Sequence, residues 1–221
     1  MDHWKAFILD MDGTLVDNMG FHLRAWTAFL ADLGVEISPQ AFLRRTGGMQ
    51  NPQILRMMLG EDLSEAEIAA HAAQKEAVYR DLYRPHLEPV GGAIDFIEQA
   101  RERGVPIALA TSANQPNVDF VLGGLGIEDL FDAVVSAEDV ERGKPHPEMF
   151  RTAAERLEVE PGRCLAFEDS AAGIEAAHRA GMAAIALATT HRENELRDLA
   201  GVVEVVEDFT LLDMDRLLRS D

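Results

Sequence analysis

The densest concentration of reactive side chains lies near the start of the chain. Phe7-Ile8-Leu9-Asp10-Met11-Asp12-Gly13-Thr14 is an apolar run that delivers two carboxylates, then Gly and Thr, into a turn. Two acids at spacing i, i+2 repel one another unless a cation or a functional demand keeps them together. The plain alternative is an acidic turn at a strand end, since Asp and Gly are ordinary turn residues. Three later segments shift the balance. Thr111-Ser112-Ala113-Asn114 offers hydroxyls and consecutive backbone N–H groups suited to a phosphate. Gly143-Lys144-Pro145 supplies a fixed cation just before a helix, and Glu168-Asp169-Ser170 supplies a second acidic pair. Each is weak alone; together they describe a place for an anion held among carboxylates.

These segments need elements to bring them together, and the pattern provides them. Short apolar runs at 6–9, 105–110, 131–135, 164–167, 183–187 and 202–206 alternate with helical patterns at about 93–103, 116–122, 147–157 and 171–180. Nearly continuous apolar strands between helices predict an α/β fold with a Rossmann-like parallel sheet buried on both faces. Ligands in such sheets bind beyond the carboxyl ends of the strands, where all four segments fall. Residues 15–86 break the alternation with helical signals only. His22, Trp26, Phe29, Leu30 and Leu33 recur at helical spacing; Ser38-Pro39 and Asn51-Pro52 each read as a cap followed by Pro; Ser64 with Glu67 reads as a capping box. Ile68, Ala72, Tyr79 and Leu82 form the apolar side of the last helix. The expected organisation is a core of residues 1–14 and 87–221 with a small all-helical cap, 15–86, inserted after the first strand.

Composition bounds the partners. The chain has 221 residues, 47% of them apolar, with 39 acidic against 20 basic side chains for a net charge of −19. Such a surface repels polyanions, so neither nucleic acid nor an anionic membrane is an expected partner. The single cysteine, Cys164, rules out an internal disulfide and reads as a small buried filler at the start of an apolar run. No apolar stretch reaches the ~18 residues of a membrane span, and the first residues lack the pattern of a signal peptide; a cytoplasmic protein is expected.

The motifs, in their order, resemble those of the haloacid dehalogenase (HAD) superfamily of aspartate-nucleophile phosphotransferases: Asp10-Met11-Asp12-Gly13-Thr14, Thr111-Ser112, Lys144 and Glu168-Asp169. The helical insert and the phrase Phe21-His22-Leu23-Arg24-Ala25-Trp26 are similar to the β-phosphoglucomutase-like branch. The resemblance implies that Asp10 attacks phosphorus to give an aspartyl-phosphate and that Asp12 is the general acid and base. It implies Mg²⁺ held by Asp10, the Asp12 carbonyl and Asp169, with Glu168 either a further ligand or an acceptor behind them. Lys144, Thr111 and the N–H groups near Ser112 and Ala113 would hold the transferring phosphoryl, with Asn114 beside them. A monomer acting on a small-molecule phosphate ester, most simply a sugar phosphate, is expected.

Within the insert the residues leave alternatives open. His22 and Trp26 share a helix face, lining a substrate cleft or filling the cap core. Lys75 either faces substrate or is a solvated helix lysine. Arg44 and Arg45 precede Thr46-Gly47-Gly48, a turn able to move over a ligand, and Met49, Met57 and Met58 read as core filler. A phosphomutase is the nearest alternative to a phosphatase, but the positions where related mutases carry an arginine for the distal phosphate hold uncharged Gln50 or Asn51 here, which favours hydrolysis unless Arg44 or Arg45 substitutes. A non-enzymatic phospho-aspartate switch would use similar groups, though such receivers lack a helical insert.

Overall fold

The computed structural model describes residues 4–46 and 49–219, and the chain divides into two compact units, Met1–Asp17 with Glu88–Asp221 and the intervening Asn18–Leu87. The glycine turn expected at 47–48 lies outside the described residues. The larger unit contains a six-stranded parallel sheet in the order β3-β2-β1-β4-β5-β6: β1 Ala6–Leu9, β2 Ile107–Ala110, β3 Ala133–Val135, β4 Cys164–Glu168, β5 Ala183–Leu187 and β6 Val202–Val206. β1 sits in the middle, with Leu9 opposite Leu109 on one side and Phe167 on the other. Strand order reverses direction about β1, which makes its carboxyl end the crevice where open α/β sheets bind ligands.

The sheet is buried on both faces, as its apolar runs demand. One face carries Phe7 and Phe167, whose rings meet edge-on at 5.6 Å and pack against Phe96 and Phe209. The other face is built from small residues, Ala6, Ala108, Ala110 and Ala166 around Ile8, against Met149, Phe150, Ala176 and Ala177. Each fully buried Phe contributes about 1.5–3 kcal/mol, so β1 is anchored from both sides. The two strands after β1 are shorter than their apolar runs. β3 starts at Ala133 because the Asp132 carboxylate already accepts the Ile107 N–H at 2.8 Å.

In the helical unit, α1 is Met19–Asp32, α2 Pro39–Thr46, α3 Asn51–Leu59 and α4 Glu65–Tyr83. Trp26, Phe29, Leu30, Phe42, Ile54, Leu55 and Ile68 form its core. The capping box of Ser64 and Glu67 is present. α3 is capped by Gln50 rather than Asn51: Gln53 accepts the Gln50 N–H at 3.0 Å, while the Asn51 amide reaches Glu76 at 2.9 Å. Leu82 is exposed and Tyr83 takes the buried position; Met49 is likewise exposed, so the methionines are not one core group.

Around the sheet lie α5 Ala93–Glu102, α6 Gln115–Leu125, α7 Glu148–Arg156, α8 Ala171–Ala180 and the short α9 Glu193–Leu196 and α10 Met214–Leu218. Pro147 caps α7 instead of beginning it. Among the described residues no helix is long and apolar enough to cross a membrane.

Candidate active site

The carboxyl ends of β1, β2 and β4 and the loop after β3 bring the first reactive segments together. Asp10 follows β1 directly, and its N–H still donates to Phe167 of β4 at 3.0 Å, fixing the backbone at which the nucleophile candidate leaves the sheet. Lys144, in a loop whose Lys144–Pro145 peptide is cis, donates to Asp10 Oδ1 at 2.5 Å, Glu168 Oε1 at 2.6 Å and the Ala110 carbonyl at 3.0 Å. Its side chain and that of Asp10 are each 8% exposed, and Glu168 only 1%. The solvated loop lysine is therefore excluded: this ammonium is clamped between two buried carboxylates from different strands.

Glu168 is the last residue of β4 and is committed at both oxygens. Beyond Lys144, its Oε2 accepts from the Ser170 N–H at 3.0 Å and the Ser170 hydroxyl at 2.9 Å. The carboxylate lies against Gly173 of α8, where a Cβ would sit 1.7 Å from Oε1. Of the two readings of Glu168, this geometry favours the acceptor that holds Lys144 in place.

Asp10, Glu168 and Asp169 each offer a carboxylate oxygen, all within 4.8 Å of one another. Burial pushes the Asp10 carboxyl well above the ordinary range; Lys144 opposes this, while the charges of Glu168, Asp169 and Asp12 add to it. Asp169 is pushed up to about 7, chiefly by burial and then by Glu168, against a hydrogen bond from Thr190 and the charge of Lys144. For Lys144, burial acts downward, but Asp10 and Glu168 outweigh it and hold the ammonium above its usual range. Three buried carboxyl groups crowd one ammonium, so that full ionisation of all three calls for a further cation, and their donors are all hard oxygens. That set fits Mg²⁺, which takes carboxylate, carbonyl and water oxygens.

The phosphoryl-binding candidates are also placed here. Thr111 follows β2 directly, is buried, and accepts the Ala113 N–H on its hydroxyl at 3.1 Å. Ser112 is exposed. Asn114 spends its side chain as the cap of α6, accepting the Asn117 N–H at 3.1 Å, so its amide oxygen is engaged with backbone. Asp12 is half-buried, and Gly13, at φ +85°, turns the chain there.

The insert candidates form a separate cluster within the helical unit. Lys75 is 1% exposed, so it is not a solvated lysine; its ammonium lies 2.8 Å from Glu76 Oε1 and 2.9 Å from His22 Nδ1. His22 stacks on Tyr79 with ring centroids 3.8 Å apart. Trp26 packs with Phe42 at 5.6 Å inside the core, with Lys75 over its ring at 5.3 Å. Glu76 carried no signal in the sequence, because a polar residue on a helix reads as solvent-facing until its partners are placed. Thr189 and Thr190 after β5 were likewise unmarked by any motif.

Comparison with known proteins shows the family. The chain is 30% identical over 219 residues to the chloroplastic 5-amino-6-(5-phospho-D-ribitylamino)uracil phosphatase of Arabidopsis thaliana, an alignment covering 99% of this chain and 59% of that protein's length. It is 32% identical over 186 residues to the fructose-1-phosphate phosphatase YqaB of Escherichia coli, covering 83% of this chain and 96% of the relative. A solved structure of β-phosphoglucomutase from Clostridium difficile superimposes with a TM-score of 0.83 at 27% identity, covering 97% of this chain and 95% of that one. Residues 4–181, which contain all four reactive segments, match the haloacid dehalogenase-like hydrolase family. The chain belongs to that family of hydrolases.

Proposed function

We propose that this protein is a Mg²⁺-dependent phosphatase that hydrolyses a small phosphorylated metabolite, in the class of sugar phosphates, through an aspartyl-phosphate on Asp10. The observation that carries the reading is the buried Lys144 ammonium 2.5 Å from Asp10 Oδ1 and 2.6 Å from Glu168 Oε1, beside Asp169. The names of relatives, a sugar-phosphate phosphatase among them, point to the substrate class.

Lys144 holds one oxygen of Asp10 and so fixes the rotamer from which the carboxylate attacks phosphorus. The new bond joins an Asp10 oxygen to phosphorus, and the bond from phosphorus to the substrate oxygen breaks. Asp12, one residue past Met11 on the same loop, gives its proton to the departing alkoxide and leaves it as an alcohol. The Asp12 carboxylate then takes a proton from water, whose oxygen attacks phosphorus. The bond to Asp10 breaks, and inorganic phosphate and the free carboxylate are restored. Thr111 holds a phosphoryl oxygen, the Lys144 ammonium sets its positive charge beside the phosphoryl group, and Glu168 keeps Lys144 in place. The carboxylates of Asp10 and Asp169 and the Asp12 carbonyl would hold Mg²⁺, which supplies positive charge against the phosphoryl oxygens when bound. Hydrolysis rather than mutase transfer is favoured by Gln50 and Asn51, which carry no charge for a second phosphate.

The test is inorganic phosphate release from a panel of phosphorylated sugars, polyols and glycolytic acids with Mg²⁺, for the wild type and Asp10→Asn. The wild type is expected to turn over at least one sugar phosphate, and folded Asp10→Asn, checked for deamidation, to retain at most a few per cent of that rate. Isomerisation of substrate without phosphate release would assign the mutase reaction instead, and a fully active Asp10→Asn would remove the nucleophile.

A further inference from the structure

β5 ends beside β4, and the loop that follows reaches back across the reactive segments. The Thr189 hydroxyl donates to the carbonyl of Gly13, in the turn that carries Asp10 and Asp12. The hydroxyl of the next residue, Thr190, lies with the Asp169 carboxylate around Gly13 and acts to lower that carboxyl's pKa. The three segments meet at Gly13, where a Cβ would lie 2.1 Å from Asp169 Oδ2 and 2.8 Å from Thr190 Oγ1. The missing side chain at Gly13 is what lets the Asp169 carboxylate and the Thr190 hydroxyl occupy this space.

We infer that Thr189 and Thr190 are positioning residues that clasp the Asp10–Gly13 turn and the Asp169 carboxylate together, and so set the affinity of the site for Mg²⁺. The inference rests on Asp10, Asp12 and Asp169 being the Mg²⁺-holding groups. Physically, a buried carboxylate swings between rotamers unless hydrogen bonds fix it, and a cation that shares oxygens from two segments needs both at one separation. Partners of this kind, hydrogen-bonded to a ligand rather than to the metal, typically change metal affinity by 10–100-fold when removed. Thr190 acts on the ligand side chain and Thr189 on the backbone of the opposite segment, so the two hydroxyls make separable contributions.

The experiment is calorimetric titration of the purified, demetallated protein with Mg²⁺, with thermal melts in EDTA as the check on folding, for wild type, Thr190→Val, Thr190→Ser, Thr189→Val and Asp169→Ala. Thr190→Val removes the donor at nearly constant volume and is expected to weaken Mg²⁺ binding about tenfold, with the melting temperature in EDTA little changed. Thr190→Ser restores the hydroxyl and is expected within about twofold of wild type. Should Thr190→Val not fold, Thr189→Val decides: about fivefold weaker binding supports the clasp, and unchanged binding overturns it. Thr190→Val with wild-type affinity, while Asp169→Ala has lost binding, overturns the inference and leaves the metal site standing. Asp169→Ala with wild-type affinity overturns the metal site itself, and the inference with it.

Discussion

Replacing Gly173 by alanine sets two effects of opposite sign against each other. Gly173 stands in the first turn of α8, so alanine would ordinarily stabilise the helix by up to about 1 kcal/mol. Its Cβ, however, would lie 1.7 Å from Glu168 Oε1, 1.9 Å from its Cδ and 2.4 Å from Oε2, where ordinary contact begins at 3.4 Å. The carboxylate must withdraw, and it is not free to do so cheaply: it is 1% exposed and holds Lys144 at 2.6 Å and Ser170 through two bonds of 3.0 and 2.9 Å. Separating a buried carboxylate from its ammonium costs about 3–5 kcal/mol, which exceeds the helical gain and leaves a net loss of about 2–4 kcal/mol. Urea unfolding in EDTA measures it, and with a slope of about 2 kcal/mol/M the midpoint should fall by about 1–2 M. Gly20→Ala is the control, because a Cβ there meets nothing within 4 Å; its midpoint should stay level or rise. Turnover should fall in Gly173→Ala as well, since Lys144 loses the carboxylate that anchors it. A Gly173→Ala protein with an unchanged or higher midpoint would refute the argument that Glu168 is locked against α8.

Two further outcomes follow from the charges. Asp169 keeps its proton to about 7 in the metal-free protein, whereas an unfolded aspartate releases it near 4. Because the folded state binds more protons across that window, the contribution of Asp169 to stability in EDTA is fully present below about pH 4 and is lost as pH rises through about 7. Added Mg²⁺ should reverse the loss, and its apparent affinity should weaken up to about tenfold for each pH unit below 7, as protons compete for the carboxylate; melts across pH 5–8 that show the opposite slope would count against the assignment. In the helical unit, Lys75 and Glu76 are 2% and 7% exposed at the side chain and 2.8 Å apart. Lys75→Met alone should therefore cost about 3–5 kcal/mol, with Lys75→Met/Glu76→Gln recovering much of it. That double variant and His22→Ala are expected to reorder the preference among sugar phosphates while activity on an aryl phosphate falls much less; a uniform loss on all substrates would make these residues structural only.

The sheet was legible because its strands are written as unbroken apolar runs, and a run buried on both faces has few alternative readings. Asp10 and Glu168 were legible because each stands where a strand ends or just beyond it, a position that periodicity locates, whereas Lys144, well into the loop after β3, was legible only through its Gly143-Lys144-Pro145 setting between them. The cap of α3 is Gln50, one residue before the Asn that suits a cap by type, and the diversion of Asn51 to Glu76 depends on a residue 25 positions away. The burial of Lys75 was hidden for the same reason: its partner His22 lies 53 residues off, on another helix. The loop after β5 offered no motif at all. Thr189 and Thr190 are ordinary loop residues until the pairing of β5 with β4 carries them next to Asp169.

The central place of β1 has a consequence for how the chain is made. β1 ends at Leu9, yet one of its two neighbours, β4, ends at Glu168. At the usual elongation rate of about 5–20 residues per second, the ribosome needs roughly 8–30 s to supply that partner. The helical unit, Asn18–Leu87, is contiguous in sequence and is complete long before then. Until β2 is made both edges of β1 are unmatched, and from then until β4 is made one edge still is, so β1, with Asp10 and Asp12 at its end, waits as an apolar segment beside a helical unit whose sequence is by then whole.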